Sequence, residues 1–347
     1  MKKYLILLFL AILVLFWLPS EQGLFGQPLT GKSITIKDAT GTQVEVRLPV
    51  KRLVVLNSDA LEVIRSLGAS DLVVGVYSDI SKNPLFWPEL KERPKVGTWK
   101  EINYERVIEL NPDAVVCYGS RPGRDMEKKL QSFGIQIIRL DFFKPDTLEK
   151  EIKTLGKILD KESQARKIAD WYHYHLNQVQ EMVKSEAARP KVYMEGDSNY
   201  HTAGPGSGGN DICMYAGGSN IAANFSIPYP EVTPEWILTR NPDVIVKMTT
   251  SSTCSSGYGM TDARILEKIR AEILSRPAWT YTNAVKKERI FVIANEIWTG
   301  PRAIIGICYL AKWFFPERTV SLDPMALHKE YLEEFQKVSY QGVYVYP

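Results

Sequence analysis

The sequence predicts an α/β protein with two lobes, each built on a mainly parallel sheet, joined by one long helix. The first observation is a repeat, because residues 111–120 read NPDAVVCYGS and residues 241–250 read NPDVIVKMTT. The second is the alternation of apolar strand patterns with helical patterns around both copies. The third is the stretch 146–188 between them, which has helical periodicity and no strand pattern.

Each copy of the repeat is preceded by a short amphipathic helix pattern, at residues 104–110 and 234–240. Proline cannot continue a helix and biases the residue before it away from helical geometry. Asn and Asp favour the turn that follows. The apolar runs after the turn are rich in valine and too short for a helix, which favours buried strands. We therefore expect the same helix–turn–strand unit once in each lobe.

The N-terminal lobe is expected at residues 33–145. Residues 33–49 alternate apolar and polar side chains around a turn that contains Gly41, which predicts a hairpin. Buried strands and helices then alternate, and glycines end two of the helices. In chain order they are a strand at 52–56, a helix at 60–67 before Gly68, a strand at 72–77, the first repeat unit, a helix at 126–133 before Gly134 and a strand at 136–140.

A helical connector is expected at residues 146–189, and the C-terminal lobe at residues 190–347. Within the connector, a helix over 163–187 would span roughly 37 Å, about the width of a small domain. Strand and helix patterns resume after Pro190. They predict a strand at 191–195, a helix at 211–216, the second repeat unit, a strand at 289–293 and a helix at 301–315.

Residues 1–26 are typical of an export segment. Two lysines precede an unbroken apolar run at residues 4–18. A helix that crosses a bilayer needs about 20 apolar residues, so the run favours a signal peptide. No clear cleavage site follows, and an uncleaved N-terminal anchor stays open. In either case the rest of the chain is expected outside the cytoplasm, in the periplasm or at the outer face of the membrane.

Composition and motif spacing argue against several classes of function. The net charge is +3 without long Lys/Arg blocks, which gives no support for a nucleic-acid surface. None of the four histidines precedes His173, so the N-terminal lobe offers a bare metal ion no imidazole, and no direct metal site is predicted. The cysteine spacing matches no disulfide or zinc framework, and whether any pair forms a disulfide stays open. The cysteines are Cys117, Cys213, Cys254 and Cys308.

Residues 204–209, GPGSGG, match the dinucleotide pattern G-x-G-x-x-G. They begin about eight residues after the predicted strand, whereas that site needs a tight turn directly after it. Pro205 takes the place of the first glycine that a nucleophile elbow around Ser207 would need. The stretch is interpreted as a flexible loop leading into a helix at Asp211, and no catalytic residue is predicted.

Several segments together resemble a known family. The N-terminal lobe carries RLVVLNSDALEVIRSLGASDLVVGVY and VGTWKEINYERVIELNPDAVV, and the C-terminal lobe carries AGGSNIA, VTPEWILTRNPDVIV, RPAWTYTNAVKKERIFVI and GPRAIIGICYLAKWFFPE. In this order they resemble the iron-siderophore and cobalamin class of periplasmic substrate-binding proteins, which feed ABC importers. The resemblance covers about residues 34–316. It implies two Rossmann-like lobes, a rigid connecting helix and a ligand held in the cleft between the lobes.

The resemblance implies no resident cofactor and no catalytic activity. The expected ligand is a small-molecule metal chelate, first a ferric siderophore, with cobalamin or haem as alternatives in the same role. The expected partner is the permease of an ABC importer, and the protein itself is expected to be a monomer. A cleft enzyme or redox protein on a related two-lobed fold remains the alternative from a different class.

Ligands of open α/β sheets bind beyond the carboxyl ends of the strands, which selects the loops that should face the cleft. Aromatic rings there suit a flat or bulky organic ligand, and arginine suits carboxylate, catecholate or phosphate oxygens. Trp298 is expected to stack on the ligand and Arg302 to pair with its oxygens. The full set is Asn57, Ser58, Tyr77, Trp99, Tyr118 and Arg121 from the first lobe and Tyr200, His201, Tyr258, Trp298 and Arg302 from the second.

The family resemblance also implies how the permease would dock. An exposed carboxylate near the start of the first helix of each lobe is expected to pair with permease arginines. The matching positions are Glu62, six residues before Gly68, and Asp211, five residues before Ala216. The C-terminal lobe departs from the usual Glu at this position.

Overall fold

A computed structural model describes residues 32–98, 100–184, 189–250 and 256–347. The predicted export segment, Trp99, Cys254 and the predicted helix end at residue 187 lie outside the described residues. Within the described part of the chain, no helix combines the length and the apolar character that a membrane crossing requires.

The N-terminal lobe follows the predicted order of elements. The hairpin comprises β1 (Ser33–Lys37) and β2 (Gln43–Arg47). A four-stranded parallel sheet has the order β4-β3-β5-β6. Its buried strands are rich in valine because both faces are covered. The elements are β3 (Leu53–Val55), α1 (Ser58–Ser66), β4 (Val73–Val76), α2 (Tyr104–Glu109), β5 (Ala114–Cys117), α3 (Asp125–Gln131) and β6 (Gln136–Arg139).

The connector contains two helices, α4 (Pro145–Ile158) and α5 (Glu162–Val183). Helix α5 is the long helix that the sequence predicted, with a rise of about 1.5 Å per residue along its length. The chain reverses between the helices through Asp160, whose φ of 56° is left-handed. Gly156 lets them approach, because a Cβ there would lie 2.4 Å from the Cβ of Ala165. The sequence therefore predicted helical structure throughout the connector but gave bounds only for the long helix, not for the shorter one packed against it.

The C-terminal lobe has a five-stranded sheet in the order β11-β10-β9-β7-β8, in which only β11 is antiparallel to its neighbour. Helices α8, α9 and α11 and the short strands β8 and β11 had no sequence prediction. The elements are β7 (Lys191–Glu195), α6 (Gly208–Tyr215), β8 (Ser219–Asn220), α7 (Pro234–Arg240), β9 (Val244–Thr249), α8 (Arg264–Leu274), α9 (Asn283–Lys286), β10 (Ile290–Ala294), α10 (Ala303–Phe314), α11 (Pro324–Glu330) and β11 (Val345–Tyr346).

The Asn-Pro-Asp repeat has one structural role in both lobes. Asn111 and Asn241 adopt left-handed backbone conformations, with φ of 44° and 45°. The Asp113 carboxylate accepts hydrogen bonds of 2.7 and 2.8 Å from the two backbone N–H groups just before β3. Asp243 accepts one of 3.0 Å from the N–H that begins β7. Each repeat therefore delivers one core strand and also fixes the start of the strand beside it.

Helix α6 begins earlier than predicted. Ser207 is its N-cap and accepts a hydrogen bond from the backbone N–H of Asn210, so Gly208 and Gly209 belong to the helix. Gly209 must lack a side chain, because a Cβ there would lie 2.0 Å from Cζ2 of Trp298. The interpretation of these two glycines as flexible loop is wrong, since Gly209 packs against the Trp298 ring and a Cβ on Gly208 would lie 2.6 Å from the Thr299 side chain.

Candidate functional site

The two lobes meet at the carboxyl ends of their strands, where the sequence placed the cleft. Asp59, just after β3, lies against Gly300, which follows β10, and a Cβ on Gly300 would lie 2.6 Å from Asp59 Oδ1. The Thr299 hydroxyl donates a hydrogen bond of 3.3 Å to the backbone oxygen of Phe143, which follows β6. These contacts join the first lobe to the second directly across the boundary.

The first lobe contributes a group of hydroxyls around one carboxylate. Tyr118 donates a hydrogen bond of 2.9 Å to Oδ2 of Asp59. The Ser58 hydroxyl lies within hydrogen-bonding reach of Tyr77 and Tyr118. Loss of water around Asp59, followed by the nearby Glu62 carboxylate, raises the pKa of Asp59 from 3.8 to about 7. The predicted residues Ser58, Tyr77 and Tyr118 are therefore brought together.

Aromatic and cationic groups lie next to these hydroxyls. We call the combined set, Ser58, Asp59, Tyr118, Arg121, Phe143 and Lys144, the first-lobe wall. The rings of Tyr118 and Phe143 are 6.1 Å apart in an edge-to-face arrangement. The Lys144 ammonium lies 5.0 Å from the centre of the Phe143 ring and 3.3 Å from Oδ2 of Asp141. Arg121 is exposed in the loop after β5. The wall therefore combines two rings with two cations, of which the sequence identified only Tyr118 and Arg121.

Asn57 has a different role from the one predicted. Its side chain is buried, accepts a hydrogen bond from the backbone N–H of Ala60 and reaches the Leu140 oxygen at 3.5 Å. It therefore caps α1 and contacts the end of β6, because an N-cap asparagine satisfies a helix donor that would otherwise have no partner. These contacts use the amide that was expected to meet the ligand.

Two predicted tyrosines of the second lobe contact other aromatic side chains. Tyr200 is half-buried and packs against the buried Trp279, with ring centres 6.1 Å apart. Tyr258 is 4% exposed and packs edge-on against Phe86 at 5.1 Å. The prediction that Tyr258 faces the ligand needs correction, since tertiary packing covers its ring, whereas the ligand-binding role of Tyr200 stays a prediction. His201 is half-buried, and its role stays a prediction.

Glu62 is not an exposed docking residue. The residue is 4% exposed, and Oε1 accepts a hydrogen bond of 2.8 Å from Arg302 of the other lobe. Its Oε2 accepts one of 3.1 Å from the Tyr331 hydroxyl. The docking prediction for Glu62 is wrong, because α1 turns this position toward the lobe boundary. Asp211 is half-buried, burial raises its pKa, and its docking role stays a prediction.

Arg302 and Trp298 also differ from their predicted roles. Arg302 donates to Glu62 and, at 2.9 Å, to Oε2 of Glu296, and it is 5% exposed. Trp298 is 1% exposed because its ring packs against Gly209. Neither side chain presents a surface to a ligand in this structure. The ion pairs and the core packing occupy the groups that were expected to bind it.

The sequence patterns did not predict a buried charge cluster in the second lobe. Glu195, at the end of β7, receives a hydrogen bond of 2.8 Å from Arg276. Lys247 of β9 donates to the backbone oxygens of Gly196 and Asp197 at 2.7 and 2.8 Å. The cluster thus fixes the loop after β7. A lysine inside the apolar run VIVKMT was the available signal, because a buried charge needs partners.

Direct metal coordination receives no geometric support from the described residues. They contain no group of three or more His, Cys, Asp or Glu side chains that could hold a metal ion. Cys117, Cys213 and Cys308 are buried and free of disulfide bonds. Burial raises the pKa of Cys117 to about 12, so this thiol is not activated.

Comparisons with known proteins agree with this architecture. Residues 53–297 match the family described as periplasmic binding protein. An uncharacterised ABC transporter substrate-binding lipoprotein, YvrC of Bacillus subtilis strain 168, is 29% identical over 293 residues, which cover 82% of this chain and 86% of that protein. The vitamin B12-binding protein of Photorhabdus laumondii is 26% identical over 198 residues, which cover 56% of this chain and 70% of that protein.

A solved structure gives the same result. The TroA-like periplasmic binding protein FepB from Veillonella parvula superposes with a TM-score of 0.76 at 25% identity, covering 90% of this chain and 99% of that one. Both the predicted two-lobed fold and the resemblance drawn from the sequence motifs are confirmed. With a family match over most of its length and two lobes that meet at the carboxyl ends of their sheets, the chain belongs to the periplasmic binding protein family.

Proposed function

We propose that this protein captures a metal chelate between its lobes and delivers it to an ABC importer. The observation that carries the proposal is the meeting of loops from both sheets around Asp59, Phe143 and Thr299. In α/β proteins this is where ligands bind. Substrate-binding proteins of ABC transporters work with a permease and ATPase complex, and the family match and the similar substrate-binding lipoprotein support the same role for this chain.

A ferric siderophore is the ligand that the first-lobe wall suits best. Tyr118 and Phe143 supply ring surfaces, Lys144 supplies positive charge beside the Phe143 ring, and Arg121 is exposed in the same loop as Tyr118. Guanidinium and ammonium groups bind the oxygens of anionic chelates through charge-assisted hydrogen bonds. A bare ion would need converging protein ligands instead.

A corrinoid is the second candidate, with haem as a further alternative in the same role. Relatives named vitamin B12-binding protein match this chain at 26% and 27% identity, which is the specific support for a corrinoid. A corrinoid is a large ring with little net negative charge, so it would depend on Tyr118 and Phe143 more than on Arg121.

The proposed location is the periplasm or the outer face of the cell membrane. The relative named as a lipoprotein supports export, as does the apolar N-terminal segment of the sequence. Whether that segment is cleaved or retained as an anchor can be read from the N-terminal sequence of the protein purified from its own source.

A ligand panel tests the proposed function. Residues 27–347 are expected to bind at least one of a ferric catecholate, a ferric hydroxamate, haem or cyanocobalamin with micromolar or tighter affinity, measured by calorimetry. For an anionic siderophore, Arg121→Ala should weaken binding by roughly ten- to a hundredfold, since a charge-assisted bond contributes about 1.5–3 kcal/mol. Arg264→Ala, which removes an exposed arginine paired with its neighbour Asp262, is the control.

Two results would contradict the proposal. In the first, none of the four chelates binds while free Zn²⁺ or Mn²⁺ does. In the second, mass spectrometry of the recovered ligand shows that it has been chemically changed, which would favour the enzyme alternative. Equal affinity of wild type and Arg121→Ala for a bound ring ligand would instead select the corrinoid.

The surface that docks to the permease is better assigned from the Asn-Pro-Asp repeat than from the position of Glu62. Glu105 and Glu235 are exposed and occupy the same position after the N-caps of α2 and α7, one in each lobe. They meet the expectation of one exposed carboxylate in each lobe, at sites that the Asn-Pro-Asp unit makes equivalent. We propose that these two residues contact arginines of the permease.

Replacement of both residues by arginine tests this assignment. Glu105→Arg with Glu235→Arg should weaken binding to the permease–ATPase complex in nanodiscs, most strongly at low salt, because attraction becomes repulsion. Ligand affinity should stay unchanged. Glu272→Arg, an exposed site on α8, is the matched control, and Asp211→Asn checks the remaining sequence prediction. Wild-type permease affinity in the double variant would refute the assignment.

A further inference from the structure

A buried chain of charges crosses the boundary between the lobes. Glu296 and Arg302 belong to the second lobe, and Glu62 belongs to α1 of the first. The Arg302 guanidinium lies 2.9 Å from Glu296 and 2.8 Å from Glu62, with side-chain exposures of 6% for Arg302 and 5% for Glu62. It also lies 4.8 Å from the centre of the Phe86 ring of the first lobe. One largely buried arginine therefore contacts both lobes.

The C-terminal segment, residues 317–347, completes this chain. The Tyr331 hydroxyl donates to Oε2 of Glu62 at 3.1 Å. The Gln336 side-chain amide donates to the backbone oxygen of Glu62 at 3.0 Å and to the Ser66 hydroxyl at 2.7 Å. Both carboxylate oxygens of Glu62 thus have partners, and one of those partners comes from a segment that the sequence patterns did not predict.

The same segment is anchored on the second lobe. Its last strand, β11, pairs with β10, and Val343 forms a bridge with Gly257. The Tyr258 hydroxyl donates to the backbone oxygen of Ser339 at 3.1 Å. The segment therefore runs from the second-lobe sheet to helix α1 of the first lobe and spans the boundary a second time.

The loop after β10 that contacts the first lobe lies between the two charged residues of the second lobe. Thr299 and Gly300, which touch Phe143 and Asp59 across the boundary, lie between Glu296 and Arg302 in the chain. A shift of Arg302 relative to Glu62 would therefore move the loop against the opposite wall. A buried ion pair gives little net stability compared with apolar packing, and its best-attested benefit is a defined arrangement.

We propose that Glu62, Arg302 and Tyr331 are positioning residues that fix the spacing of the two lobes, with the C-terminal segment acting as part of the binding apparatus. All three groups take part, because the buried Glu62 carboxylate meets the arginine on one oxygen and the Tyr331 hydroxyl on the other only when α1 and the loop after β10 are in register. The effect on lobe spacing stands by itself, whereas an effect on ligand binding rests on the proposed function.

The direct test is a distance measurement between the lobes. Spin labels at Lys128→Cys on α3 and Lys268→Cys on α8, both exposed positions, report the spacing by pulsed electron resonance in a Cys254→Ser background. Glu62→Gln and Tyr331→Phe should each shift or broaden the distance distribution. Arg276→Gln is the matched control, because it breaks a buried ion pair inside the second lobe and should leave the spacing unchanged.

Each outcome decides the proposal. Altered spacing in Glu62→Gln and Tyr331→Phe, with no change in Arg276→Gln, supports it. Wild-type spacing in both boundary variants, with folding verified by circular dichroism, overturns it. If Glu62→Gln does not fold, Tyr331→Phe decides alone, because it removes one hydroxyl and no charge. The measurement needs no ligand, so a failed ligand panel leaves it valid; faster dissociation of whichever panel chelate binds is expected in the same two variants.

Discussion

Lys247→Met is expected to lower the free energy of unfolding by about 3–5 kcal/mol, the usual cost of removing one partner from a buried ion pair. Lys247 is 4% exposed, and its ammonium lies 3.7 Å from Oε2 of the fully buried Glu195. The substitution leaves that oxygen without a cation, and it also leaves two backbone oxygens of the loop after β7 without their donor. Urea unfolding followed by circular dichroism gives the value.

Two further variants make this result specific. Lys268→Met, at an exposed site on α8, should change stability by less than about 0.5 kcal/mol. Adding Glu195→Gln to Lys247→Met should lower stability further, because Arg276 then loses its carboxylate partner at 2.8 Å. The explanation fails if Lys247→Met and Lys268→Met unfold at the same urea concentration.

Trp298→Ala is expected to destabilise the protein by about 3–5 kcal/mol, because it empties a fully packed aromatic site. Gly209→Ala should also destabilise it, by about 1–3 kcal/mol or more, since the added methyl group would overlap the Trp298 ring. In the Trp298→Ala background that second cost should become smaller without vanishing, because the ring atoms 2.0 and 2.4 Å from the new Cβ are absent while the Cβ of Ala203, at 2.8 Å, remains. A double-mutant cycle by thermal or urea unfolding measures the coupling.

Gly123→Ala is the control for this cycle, because a Cβ there meets no atom within 4 Å. If the costs of Gly209→Ala and Trp298→Ala simply add, the two residues do not depend on each other, and the packing explanation for the glycine is wrong. A folded Trp298→Ala that keeps its stability but loses ligand binding would restore the sequence prediction that this ring stacks on the ligand.

The elements that sequence patterns predicted are those whose causes are local. Asn111 and Asn241 mark turns, glycines such as Gly68 and Gly134 end helices with positive φ, and valine-rich runs become the central strands. The order of helices and strands within each lobe follows from the same local signals. Elements without a strong local signal, such as the two-residue strand β11 and the short helix α9, had no prediction because longer-range pairing or packing forms them.

The residues of the candidate site divide in the same way, into those that local patterns predicted and those whose roles depend on distant contacts. The lobes meet at the strand ends where the sequence placed the cleft, and Ser58, Tyr77 and Tyr118 lie together there, with Tyr77 buried. Their contact with a ligand stays a prediction. Glu62 and Arg302 did not follow their predicted roles, because each is the other's partner across 240 positions of sequence. No periodicity within α1 reveals such a partner, and an acidic residue near a helix start is usually exposed.

By itself, then, the sequence determined the two-lobed α/β architecture, its repeated unit and the edge of the sheets where a ligand would bind. Those features depend on backbone preferences and on apolar periodicity, which act within a few residues. The tertiary structure alone decided which polar side chains of the cleft loops remain available. Burying a charge is costly unless a partner is present, and the partners of Glu62, Arg302 and Glu195 come from distant segments that only the folded chain brings together.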